Sequence, residues 1–157
     1  LNLVDAAVKD LSRAEMAAGS TPTILTNKAV ALTQNGAWKE GCDIFEQVFS
    51  SADRNASPWW LRYSMSLLET NRGAEAVAYL QRTLNRFPYE SECKAFATAL
   101  YTSMASPAEA QRYWKDMKAE ERIQYSDTQF INEKLHWGPV AQKSLKLFLG
   151  SNFAKID

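Results

Sequence analysis

The chain has 157 residues, 46% of them hydrophobic and 23% charged, enough for one domain with a buried core. Lys plus Arg and Asp plus Glu number 18 each, and that neutrality argues against a dominant nucleic-acid or anionic-membrane role, since both require clustered positive charge. No apolar run reaches the roughly 18 residues of a spanning helix, so direct membrane insertion is not expected.

Residues 3–17 predict a first helix, with Leu3, Ala7, Leu11 and Ala14 on one helical step and Gly19 as its stop. Three Ser/Thr-Pro pairs are each placed to open a helix, because a hydroxyl N-cap followed by proline suits a first turn. Thr21-Pro22 precedes Leu25, Ala29 and Leu32. Ser57-Pro58 precedes Trp60, Tyr63, Ser64 and Leu67, and Ser106-Pro107 precedes Ala110, Tyr113, Trp114 and Met117. Glu109 stands three residues after Ser106 and predicts a capping box. Short turns at Asn35-Gly36 and Asn71-Arg72-Gly73 join antiparallel helices. The partner helices are expected at about 38–51, 74–86 and 107–121, with Pro88 ending the second and a further helix over 91–104. Ser126 is the expected cap of a short helix over Asp127–Leu135. Pro139–Leu149 is the expected last helix, carrying Val140, Leu145, Phe148 and Leu149 and stopping at Gly150. No segment reads as a strand.

Four sets of residues keep one register. Leu32, Leu67 and Tyr101 are 35 and 34 residues apart. The same steps separate Gly41, Ala76 and Ala110; Phe45, Leu80 and Trp114; and the small residues Ala29, Ser64 and Thr98. A period near 34 residues marks an array of helix-turn-helix units, each burying its apolar face on the next. The expected fold is therefore all-α, an α-solenoid of about three helical hairpins over residues 22–55, 57–90 and 91–122. An N-terminal helix at 3–17 and a C-terminal extension at 123–157 complete a single domain.

The pattern resembles the tetratricopeptide repeat. The first unit matches at Leu25, Ala29, Leu32, Gly36, Trp38, Gly41, Phe45 and Val48, and the second at Trp60, Ser64, Leu67, Ala76, Leu80, Leu84 and Pro88. The third matches more loosely at Thr98, Tyr101, Ala110, Trp114 and Met117; Lys94 replaces a large apolar residue there, and no proline closes the unit. The resemblance covers about residues 22–122. It implies close helix approach at Ala29/Gly41 and Ser64/Ala76. It also implies protein binding in a groove lined by the first helix of each hairpin. Carried over residue by residue, the groove takes Thr23, Thr26, Asn27, Val30, Thr33 and Gln34 from the first unit, Leu61, Arg62, Met65, Leu68 and Glu69 from the second, and Glu92, Ala95, Phe96, Ala99, Thr102 and Ser103 from the third.

One subclass of that family clamps acidic chaperone tails with Lys, Asn, Asn, Lys and Arg. Thr26, Val30, Arg62, Glu92 and Phe96 occupy those places here, and Glu92 would repel a carboxylate, so no carboxylate clamp is expected. Leu61, Met65, Leu68 and Phe96 suit an apolar segment or helix of a protein partner. The alternative is that these four pack against the chain's own first helix or its C-terminal tail.

No catalytic, cofactor or metal site is expected. His136 is the only histidine, and no HExxH, GxSxG, Walker loop or GxGxxG is present. Cys42 and Cys93 form no CxxC and read as two buried or half-buried helical thiols, with a disulfide as the alternative. Trp59 and Trp60 point about 100° apart on a helix. Trp60 fits the core, which leaves Trp59 for inter-repeat packing or for a partner surface. Asn55-Ala56-Ser57 is a glycosylation sequon that matters only in a secreted protein. The chain opens on Leu1 rather than Met, as a processed form or a fragment would. Cytoplasmic and organellar locations, the chloroplast included, both fit.

The expected function is a non-enzymatic protein–protein interaction module: an adaptor or scaffold, or a peripheral subunit or assembly factor of a larger complex. A repeat appended to a catalytic part lying elsewhere is the alternative. An RNA-binding helical repeat is a third, disfavoured by the neutral charge.

Overall fold

The computed structural model describes residues 3–51 and 59–155. Among them are nine α-helices and no strand: α1 (Leu3–Ala18), α2 (Pro22–Gln34), α3 (Trp38–Ser51), α4 (Trp60–Glu69), α5 (Gly73–Arg86), α6 (Ser91–Ser103), α7 (Pro107–Lys115), α8 (Ala119–Ser126) and α9 (Pro139–Leu149). A π-helical turn (Phe130–Lys134) precedes α9 and a short 3₁₀ turn (Asn152–Ala154) follows it. Helices pack in consecutive pairs, α2 on α3, α4 on α5 and α6 on α7, with α1 laid on α2. The pairs adjoin through α3–α4 and α5–α6. The fold is an all-α helical repeat.

The repeat is written in the backbone as well as in the side chains. At the turn inside each pair one residue adopts a left-handed conformation: Gly36 (φ 81°), Asn71 (φ 63°) and Ala105 (φ 55°). The next amide reaches back to the same place each time. Ala37 N–H donates to Leu32 O at 2.9 Å, Arg72 N–H to Leu67 O at 2.8 Å and Ser106 N–H to Tyr101 O at 2.9 Å. This is the helix-ending pattern in which a left-handed residue lets the chain satisfy carbonyls of the last turn. Leu32, Leu67 and Tyr101 thus recur because each accepts the bond that closes a hairpin.

The small residues explain how close the paired helices come. Ala29, Ser64 and Thr98 are fully buried, as are Ala76 and Ala110 opposite the latter two. Ser64 Oγ donates to Ala76 O at 2.7 Å, and Thr98 Oγ1 lies 3.4 Å from Ala110 O. In the first pair a Cβ on Gly41 would stand 3.0 Å from Ala29 O and 2.5 Å from Thr33 Cγ2. Phe45, Leu80 and Trp114 are buried beside these contacts. Between the first two pairs, aromatic rings fill the gap: Phe45 and Phe49 from α3 meet Tyr63, and Tyr63 meets Tyr79 edge-on at 4.6 Å.

Several expectations are corrected. The helix foreseen over 107–121 is broken into α7 and α8. Lys94 accounts for the break: its ammonium pairs with the Asp116 carboxylate at 2.8 Å and donates to Asp116 O at 3.1 Å, so a cation sits at the C-terminus of α7. Arg122 adds a bond to Met117 O. The Ser106/Glu109 capping box is not made: Glu109 pairs with Arg112, and Ser106 has no side-chain cap bond. The reciprocal carboxylate arrives one helix later, where Lys118 N–H donates to Glu121. Thr21 does cap α2, accepting from Ile24 N–H at 3.3 Å, while Ser57-Pro58 and the Asn55 sequon lie outside the described residues. The short helix expected over Asp127–Leu135 is present at residues 128–134, but its last five residues are π-helical. It is capped not by Ser126 but by Asp127, which accepts from Gln129 N–H and Phe130 N–H. The inner face of α1 is not Leu3 and Ala7, which are exposed. Glu15 bonded to Lys28 and Asp5 bonded to Asn35, each at 2.8 Å, tie the helix to α2, and Val8 and Leu11 are half-buried.

Candidate functional site

The face predicted as a groove is formed by α4 and α6, which touch each other, and α9 lies against both. Met65, Leu68 and Phe96 are buried. Phe96 receives Trp137 edge-on, with ring centroids 5.7 Å apart. The segment approaching this floor is the turn Leu135–Gly138 and the helix that follows it. Pro139 opens α9 as its first residue, where the missing N–H costs nothing. Ala141, Ser144, Leu145 and Phe148 face inward, and Phe148 meets Trp114 edge-on at 5.7 Å. Val140 is exposed.

Three polar side chains of α4 and α6 hold the segment. The Arg62 guanidinium donates to Leu135 O at 2.9 Å and to His136 O at 3.0 Å. Glu69 accepts from Val140 N–H at 3.0 Å and Ala141 N–H at 2.9 Å, the open donors at the start of α9. A carboxylate there also meets the positive end of the helix. Glu92 accepts from Trp137 Nε1–H at 3.0 Å. Gly138 leaves room for the Glu69 side chain at the joint, because a Cβ on it would lie 2.2 Å from Glu69 Cδ. His136 turns the chain with φ 51°.

The electrostatics follow from partial burial. Burial raises the Glu69 carboxyl above the ordinary carboxylate range, with the two amide N–H bonds opposing it. Burial lowers the Arg62 guanidinium from its usual value, opposed by the Glu92 charge, but a guanidinium remains charged at neutral pH. Four of the five hydrogen bonds land on backbone groups of the segment. The face therefore meets the first turn of α9 with a carboxylate for its N–H groups, a guanidinium for the carbonyls before it, and an apolar floor.

No family model, curated protein or solved structure matches this chain.

Of the predicted groove residues, Arg62, Met65 and Leu68 stand on α4 and Phe96 on α6, and residues 135–149 of the same chain meet Arg62 through Leu135 and His136 and Phe96 through Trp137. Met65, Leu68 and Phe96 are buried and Arg62 is half-buried, which favours the alternative of packing against the C-terminal tail over an open groove. Leu61 stands apart, half-buried in a cleft of about 240 Å³ with Phe87, Glu92 and Cys93. Asn27 is exposed on α2 and Val30 is half-buried against the core. Trp59, the residue before α4, is 37% exposed, whereas Trp60 is buried with its ring edge-on to Tyr79. Glu69 and Glu92 were named only as groove lining; their use as anchors has one sequence signal, the Trp137-Gly138-Pro139 run that opens α9.

Cys42 and Cys93 are free and buried. Burial pushes the Cys93 thiol up to about 12, so it carries no thiolate at neutral pH. Among the described residues no group of three or more His, Cys, Asp or Glu is placed to hold a metal ion, and no helix is long and apolar enough to cross a membrane.

Proposed function

We propose that this chain is a non-enzymatic protein–protein interaction module of the tetratricopeptide-like kind, serving as an adaptor or scaffold, or as a peripheral subunit or assembly factor of a larger complex. The observation that carries the reading is the α4–α6 face. It holds a helix through the backbone groups at that helix's N-terminus and an apolar floor, which is how a helix-in-groove receptor works. The repeated hairpins supply a frame for such a face. The partner is a protein presenting an apolar segment or helix.

The test is affinity purification of the tagged chain from its native source under mild conditions, followed by reciprocal capture with the partner tagged. A partner recovered in fixed ratio in both directions supports the module. A chain that migrates as a free monomer in native extract, with no reciprocal partner, overturns it.

A further inference from the structure

We propose that residues 135–149 are an intramolecular ligand. The α4–α6 face binds a partner helix of the same chemistry by exchanging it for this segment. The inference rests on the protein-binding reading and names what that face accepts: an apolar helix whose first two free N–H groups meet Glu69, preceded by an aromatic N–H donor for Glu92 and by carbonyls for Arg62.

Four observations support exchange. First, the repeated hairpin contacts, Ala29 with Gly41, Ser64 with Ala76 and Thr98 with Ala110, close without any residue of the segment. Second, four of the five hydrogen bonds that hold the segment go to its backbone, so another helix of similar shape makes the same ones. Third, residues 126–129 are all exposed and give the chain an open stretch before the segment, which is then tethered only by the short π-helical turn that buries Ile131. Fourth, the outer face of α9 is in solvent at Val140, Lys143, Lys146 and Leu147, so the segment is covered on one side only.

The covalent link gives the segment an effective concentration on the order of mM, which a free helix at micromolar level does not overcome. Displacement therefore needs either a tighter partner or a weakened joint. Weakening is available at Gly138. A methyl group there forces Glu69 aside and takes both bonds from Val140 and Ala141 with it. Glu69 itself remains intact and free to cap a helix added in trans.

The experiment uses a fluorescently labelled synthetic peptide of residues 133–151 and the full chain, read by polarisation. The wild-type chain is expected to take up the peptide weakly. The Gly138→Ala chain should bind it at least about tenfold more tightly, a difference of about 1.4 kcal/mol, and adding Glu69→Ala should abolish the gain. A Gly138→Ala chain with wild-type helicity that binds the peptide no better than wild type overturns the proposal. If Gly138→Ala does not fold, a protease site inserted at the exposed Asp127-Thr128 bond replaces it. After cleavage, exchange of the labelled peptide for the released fragment supports the proposal. A fragment that stays bound without exchange, or a nicked chain that unfolds, overturns it. Either failure leaves the protein-binding module standing, because reciprocal capture decides that separately.

Discussion

Replacing Ala105 by glycine should stabilise the protein. Ala105 sits at φ 55° in the turn between α6 and α7, where an L-residue with a Cβ pays roughly 1–2 kcal/mol relative to right-handed backbone. Glycine adopts that conformation freely but gives up roughly 0.5–1 kcal/mol in unfolded-state entropy. The net expectation is a gain of about 0.5–1 kcal/mol, or about 1–4 °C in Tm for a chain of this size. The reverse change at the equivalent turn, Gly36→Ala, should cost a similar amount. Gly36 has φ 81°, and an added methyl group would meet no atom within 4 Å, so the loss is backbone strain alone. Asn71→Gly should gain less than Ala105→Gly, because asparagine tolerates the left-handed region. Urea unfolding followed by far-UV circular dichroism measures all three against wild type, with the slope checked for constancy. A destabilised Ala105→Gly chain together with a neutral Gly36→Ala chain would refute the shared turn, and with it the common geometry of the hairpins.

Two further outcomes follow from the packing. Gly41→Ala should destabilise by about 1–2 kcal/mol, since overpacking against Thr33 Cγ2 and Ala29 O outweighs the better helix propensity of alanine. Adding Thr33→Ser, which removes that methyl, should recover part of the loss in the same urea assay. Stability should also fall in alkali. Burial raises the Cys93 thiol to about 12 and raises the Tyr63 and Tyr125 phenols as well. The folded chain then keeps protons that the unfolded chain releases, so this contribution is intact below about pH 8.5 and declines as pH climbs toward the folded values. A urea midpoint at about pH 10.5 equal to that at about pH 8 would contradict this.

The hairpins were legible because their physics is local and repeated. Gly41, Ala76 and Ala110 must be small where two helices touch. Leu32, Leu67 and Tyr101 close identical turns, so periodicity alone exposed them. The break between α7 and α8 was not legible. Lys94 stood out as a polar intruder, but its reason is a bond to Asp116, 22 residues on, which spacing does not reveal. The cover over α4 and α6 was harder still. The apolar residues of α9 announce an amphipathic helix without saying where it docks. Its address lies in pairs such as Arg62 with Leu135 and Glu69 with Ala141, which are 73 and 72 residues apart in sequence. Burial of Met65, Leu68 and Phe96 fits a groove and a core equally well until the covering segment is in place.

A single NOE spectrum of the assigned aromatic rings tests the architecture most directly. Stacked hairpins closed by the C-terminal segment predict cross-peaks between Phe45 and Tyr63, joining the first two pairs, and between Tyr101 and Tyr113 inside the third. They also predict a cross-peak between Phe96 and Trp137 under the segment, with centroids 5.8, 5.6 and 5.7 Å apart. All three in one folded sample is the expected result. Absence of the first two would contradict the helical stack, and absence of the third alone would contradict the covered α4–α6 face.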